Sequence, residues 1–462
     1  MIAMPESSHL RDSQLFGGQW ATDEMRAWFT EPSRVRSWLG IVGAIAAAQA
    51  DIGAVPRPVA DEIERVCATL RPDLAEVALR NRSTGHSTTG LLEVVRAAVS
   101  TAASGFVGLG LTVQDISDTW TALTIQRTAD LLERDLRSLL ALLGEGVARY
   151  ESAPMVGRTH GQPGAPTTFG FKLAQWGAEL ERHLARLKEG RTRWETVQLG
   201  GSVGCMAFWG DRSPALAAAL AARMGLGVPL LPWGSSRDCV AEFGQLSVLV
   251  SATTAKIGNE VYELQRPEIS ELQESWRADQ IGSVTMPHKQ NPERSEHLVT
   301  LGRLIRSYAS VLTEAAVVEH ERDGRAWKAE WVALPDLCCS LTRATSLCVE
   351  LMSGLVVDQE RMRANVLGFG GLVLSEHALR IIAEGSGVEA ASRAVRRAAS
   401  RVRAGTQPSL VAALADAAEP ALDAATIERL ADLDHAAIGA RTLAHSWRVG
   451  LDDRIDASGA RW

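Results

Sequence analysis

Residues Gly282 to Glu296 read GSVTMPHKQNPERSE, a stretch with neither helical nor strand periodicity set between glycine and proline breakers. It lines up a hydroxyl (Ser283) beside a glycine that permits close backbone approach, a cation (Lys289), an amide (Asn291), and a carboxylate (Glu296) where helical pattern resumes. That inventory suits making and holding an anion. Three other segments concentrate polar chemistry in the same way: RTHGQPG around His160, STGHSTTG around His86, and HERDGRAWKAEW from His320.

The intervening sequence supplies the elements that must position them. Ile125, Ala129, Leu132, Leu136, Leu139 and Leu143 recur at alternating four- and three-residue steps, which predicts a long helix stopped by Gly144. Phe169, Leu173, Trp176, Leu180, Leu184 and Leu187 predict a second, beginning near Pro166 with Gly190 as its stop. A third runs from about Val240 to Leu264, and a fourth passes through Leu298, Leu301, Ile305, Tyr308 and Leu312. Apolar residues spill beyond one seam, so these helices must bury more than one face, as in a bundle with neighbouring subunits. No regular hairpin ladder, GxGxxG or P-loop is legible. The expected architecture is all-α, with domains over 1–112, 113–357 and 358–462 and the polar loop 282–296 inside the central one.

A net charge of −7 and the lack of a basic run exclude a nucleic-acid footprint. The six cysteines form no CxxC pair or Cys/His zinc spacing, so neither metal nor cofactor is expected. The start MIAMPESSHLRD lacks a signal peptide's apolar core, and apolar runs such as Ala215 to Ala222 fall short of the roughly 18 residues needed for a bilayer span. A cytoplasmic protein without a membrane segment is the expectation.

The loop resembles the GSSxMPxKxNPxxxE signature of the fumarase/aspartase superfamily, with Val284 where the second serine usually stands. The resemblance extends along most of the chain. The stretch from Trp20 to Pro56 resembles the opening of the adenylosuccinate lyase and 3-carboxymuconate cycloisomerase branch, GLTVQDISDT (Gly110 to Thr119) its GLTSxDxxDT segment, and GRTHGQPGAPTTFG (Gly157 to Gly170) its next conserved segment. The resemblance implies a three-domain helical subunit in a homotetramer with a 20-helix core. It also implies small dicarboxylate substrates and active sites assembled from three chains.

By that resemblance Ser283 is the base that removes a proton next to a carboxylate, its alkoxide held by loop N–H groups and Lys289. Lys289, Asn291 and Met286 line the substrate. His160 corresponds to a general acid for the leaving group, and a carboxylate such as Glu296 would orient it. Thr159 and Gln162 flank it as substrate contacts. His86, Ser87 and Thr88, with Thr112, Gln114 and Asp115, form a further wall, in which Val113 replaces a usual serine. Arg322 would grip a carboxylate bidentately, against the plainer reading of an ion pair with Glu321 or Asp323.

The implied reaction is a carbon–nitrogen lyase step on a small substituted succinate or aspartate, yielding fumarate. Alternatives are a carboxymuconate-type cycloisomerase, adenylosuccinate lyase, and a non-catalytic structural member. RTHGQPG speaks against the cycloisomerase, whereas WKAEW (Trp327 to Trp331) resembles it. Where adenylosuccinate lyases hold a phosphate with an Arg-Tyr pair and serines after ERD, this chain has Gln19, Trp20 and Gly324 to Lys328, and Ser236 stands in place of a substrate-binding glutamine. The expected substrate is therefore small, with nitrosuccinate as one candidate.

Overall fold

A computed structural model describes residues 9–277, 279–417 and 422–458. Helix α1 (Glu31–Asp51) starts at Thr30, whose hydroxyl accepts from Ser33 N, with Pro32 in its first turn. Helices α2 (Leu74–Thr84) and α3 (Thr89–Ala98) are separated by a short loop. Five long helices follow: α4 (Val113–Tyr150), α5 (Phe169–Trp194), α6 (Asp238–Gln265), α7 (Glu293–Glu314) and α8 (Gly324–Ser353). Among the described residues, strands occur only as two short antiparallel pairs, β1 (Pro154–Thr159) with β2 (Gln162–Thr168) and β3 (Leu272–Gln273) with β4 (Val356–Val357). The fold is all-α, as expected.

Two compact units divide the chain. One comprises residues up to Leu136 with His183–Ala255 and Thr300–Ser346; the other comprises Arg137–Arg182, Lys256–Val299 and the chain from Leu347. The first has a core in which Ile41, Ile45, Ile63, Leu91, Val95 and Ile116 are buried. The second packs Val156, Val366, Val373, Leu374 and Leu410 together. The expected seam of α4 is buried throughout, and so are Phe243, Leu246, Val250, Ile257, Val261 and Leu264 of α6. Among the described residues, α8 alone is a single helix long and apolar enough to cross a membrane; 72% of its apolar window is buried, as in the core helix of a globular protein.

Three expectations need correction. Gly144 does not end α4, which runs to Tyr150. At Gly144 an added Cβ would lie 3.2 Å from Leu451, and at Gly146 it would lie 2.7 Å from Leu173, so these glycines admit close neighbours to a continuous helix. Gly190 likewise lies within α5. A Cβ there would collide with the indole of Trp194, one turn on, so the glycine is a bed for a ring.

The third correction concerns residues 154–168, which form a hairpin where a loop and early helix were expected. Pro154 pairs with Thr168, Met155 with Thr167 and Thr159 with Gln162, with an irregularity between Val156 and Arg158. Pro163 and Pro166 look like breakers in sequence, but a two-stranded ribbon has only edges and tolerates them. Helix α5 begins at Phe169, after Thr168 accepts from Phe171 N at 3.1 Å.

Candidate active site

In the first unit the head of α4 is built around buried carboxylates. Asp115 is fully buried and accepts from Thr112 N (2.9 Å), Gly200 N (2.7 Å) and Gly201 N (3.3 Å). Burial pushes its carboxyl up to about 6, against the three N–H donors that pull it down. Its oxygens fix the glycine loop to the helix, so within the chain it holds the wall together. Arg322, exposed on the HERD segment, donates to Thr112 Oγ1 and to the Gly201 carbonyl, both at 3.0 Å. The ion pair with Glu321 or Asp323 is not what it forms. Asp323 is instead engaged by Arg325, which holds that carboxyl down at about 2.

Behind this wall lies a charge network that sequence reasoning missed. Arg237, fully buried, donates to Asp118 Oδ2 at 2.7 Å and to Glu330 Oε1 at 2.8 Å. Burial opposes its charge, but Asp118 and Glu330 more than offset this and hold its pKa above the ordinary value. Gln114 Nε2 donates to Asp118 (3.0 Å) and to the Gly234 carbonyl (2.8 Å), and Trp327 Nε1 also donates to Asp118 (3.0 Å). Gln114 is thus a nearly buried member of the network. Positions 118, 237 and 330 are too far apart in sequence for any local pattern to join them.

The His86 segment follows the left-handed C-cap Gly85 of α2. Asn81 frames it, donating to the Ser87 carbonyl and accepting from Gly90 N, both at 2.9 Å. His86 is exposed, Ser87 half-buried, and Thr88 buried with its hydroxyl 3.4 Å from that of Ser87.

In the second unit His160 occupies the tip of the β1–β2 hairpin. His160 and Gly161 both have positive φ (53° and 73°) and form the two-residue turn, with Thr159 and Gln162 paired beneath them. All four are exposed. Arg158 anchors the strand by a bidentate pair to buried Glu271 (2.7 and 3.0 Å), which also accepts from Asn365 (2.8 Å). The His160 ring forms no hydrogen bond within the chain among the described residues, so the suggested pairing with Glu296 is absent there.

The 282–296 segment does bring several expected residues together. Ser283 Oγ accepts from Met286 N at 3.1 Å, and Asn291 Nδ2 donates to the Gly282 carbonyl at 3.0 Å. A Cβ on Gly282 would strike the Lys289 carbonyl and the Trp276 ring, so close approach explains that glycine. Met286, Lys289 and Val284 are exposed. Glu296 lies in the first turn of α7, whose N-terminus is held by buried Glu274 accepting from Ser295 N (2.8 Å) and Arg294 N (3.2 Å). Among the described residues no three His, Cys, Asp or Glu side chains converge as metal ligands would.

A family model described as Lyase matches residues 18–306. The chain belongs to the lyase family of the fumarase/aspartase superfamily. N-acetyl-S-(2-succino)cysteine lyase of Dickeya dadantii is 36% identical over 80% of this chain and 81% of its own length. Nitrosuccinate lyase of Streptomyces davaonensis is 32% identical over 93% of each. Among solved structures, the 3-carboxy-cis,cis-muconate lactonizing enzyme of Pseudomonas putida superposes with a TM-score of 0.87 at 31% identity, covering 95% of this chain and 98% of that one. This lyase is therefore an enzyme with the all-α fold of its superfamily.

Proposed function

We propose that this lyase eliminates the 2-substituent of a small substituted succinate and releases fumarate. The observation that carries the reading is the signature loop, in which Ser283 Oγ already accepts a backbone N–H from Met286. The same donor would stabilise a serine alkoxide, the form in which serine is a competent base. The alkoxide takes the proton on the carbon next to a carboxylate. The electron pair left behind spreads into that carboxylate, held by Lys289 and Asn291, and then forms the double bond as the substituent leaves from the neighbouring carbon. Arg322, fixed by Thr112 and Gly201, grips the other carboxylate. His160 supplies a proton to the departing nitrogen.

The exposure of His160 and of the 282–296 loop supports sites completed by other copies of the chain in a homotetramer. A sulfur leaving group is the second reading, favoured by the name of the Dickeya dadantii relative. Both follow the same proton bookkeeping. The test is fumarate appearance by ultraviolet absorbance across N-acetyl-S-(2-succino)cysteine, nitrosuccinate, N-succinyl amines, adenylosuccinate and carboxymuconate. Fumarate is expected from small succinates. Turnover of carboxymuconate alone, or a kcat/KM for adenylosuccinate above about 10⁴ M⁻¹s⁻¹, overturns the reading.

A further inference from the structure

Within the first unit lies a cavity of about 220 Å³. Phe29, Trp38, Trp120 and Trp331 form its apolar walls, and the hydroxyl-bearing Ser87 of the His86 segment also lines it. Phe29 and Trp38 meet the Trp120 ring edge-on at 6.0 and 6.5 Å. Arg34 lies among them with its Cζ 4.6 Å over the centre of the Trp120 ring.

The Arg34 side chain has neither a hydrogen bond nor an ion pair among the described residues, and its Nε is buried without a partner. Glu31, three residues earlier, acts on it coulombically without forming an ion pair with it. Glu330, which also lines the cavity, is engaged by Arg237, and nearby Arg11 is paired with Asp336. A guanidinium removed from water gains less from a ring face than its desolvation costs, and so still favours an anion with two oxygens. Burial, with Arg11 adding like-charge repulsion, accordingly lowers its pKa. Flat aromatic walls beside a lone cation suit a short apolar body ending in a carboxylate.

We propose that this cavity receives the leaving-group end of the substrate, a small apolar body that carries its own carboxylate, which pairs with Arg34. The inference rests on the elimination reading for its connection to substrate, and Ser87 joins the cavity to the His86 wall. It distinguishes a carboxylate-bearing substituent from nitrite and from a nucleotide, neither of which combines an apolar body with a single terminal carboxylate.

Binding of phenylacetate and of its neutral isostere phenylacetamide to the full-length enzyme, by calorimetry and tryptophan fluorescence, tests the site without turnover. Phenylacetate is expected to bind at least about tenfold more tightly, as a charge-assisted pair requires. Arg34→Gln should erase that preference and Arg34→Lys should keep part of it. Equal binding of the two probes to wild-type enzyme, or an unchanged preference in folded Arg34→Gln, overturns the proposal; the first result needs no variant to fold. Arg34-dependent preference together with no fumarate from any succinate supports the anion site and removes the elimination reading instead.

Discussion

The head of α4 and the hairpin tip carry expected site residues in opposite physical settings. Around α4, Asp115, Asp118, Arg237 and Glu330 are buried and paired, so Arg322 and Thr112 are presented from a wall whose geometry is fixed before any ligand arrives. At the hairpin and in the 282–296 loop, Glu271 and Glu274 anchor the base of each element, while His160, Met286 and Lys289 are exposed. A buried, paired network fixes the backbone above it, whereas the exposed residues of the hairpin and loop are held only through the bases of their elements.

The largest expected effect comes from the exposed side. Ser283→Ala should lower kcat by about 10² to 10⁴ with the melting temperature unchanged, because the hydroxyl contributes chemistry and almost no packing. Activity within about tenfold of wild type would remove Ser283 as the base. Mixing this variant with His160→Asn should restore part of the lost activity after subunit exchange. No recovery from mixed oligomers demonstrated by mass spectrometry would mean that each chain builds its own site.

Arg237→Met strikes the buried side. It leaves the buried Asp118 and Glu330 carboxylates without their counter-charge, and chemical denaturation should register a loss of about 3–5 kcal/mol. A loss below about 1 kcal/mol would show that the wall does not depend on this network.

Asp115 offers a subtler contrast. Its carboxyl is raised from 3.8 to about 6 in the folded chain, so the folded state holds the proton to higher pH than the unfolded state does. The group's contribution to stability is full below the lower value and is lost as pH rises through the upper one. Relative to Asp115→Asn, wild type should therefore lose up to about 3 kcal/mol between pH 4 and 7, read from urea unfolding at both. A difference independent of pH would place the shift in error.

The smallest effect on stability belongs to Lys289→Met, within about 0.5 kcal/mol as for other exposed side chains, while activity drops. Comparable losses in both would make Lys289 part of the framework.

Helical seams were readable because their period is local: every expected apolar residue of α4 is buried. The stops at Gly144 and Gly190 were misread because a glycine chosen for a close neighbour looks the same as one chosen to end a helix. The hairpin was hidden by prolines, which edge strands tolerate. The signature loop was legible as a polar cluster, and the hydrogen bonds of Ser283 and Asn291 lie within it. The network of Asp118, Arg237 and Glu330, and the placement of Arg34 over Trp120, join distant positions through topology and leave no local trace.

The positive φ of His160 limits which replacements are informative. Asparagine accepts a left-handed turn more readily than most residues with a side chain, whereas a β-branched residue there would resist the turn and shift the pairing of Thr159 with Gln162. An inactive His160→Val protein would thus conflate a missing proton donor with a misfolded turn. Asparagine keeps the backbone and deletes the titratable ring, so the conformation of one residue determines which experiment can separate chemistry from architecture.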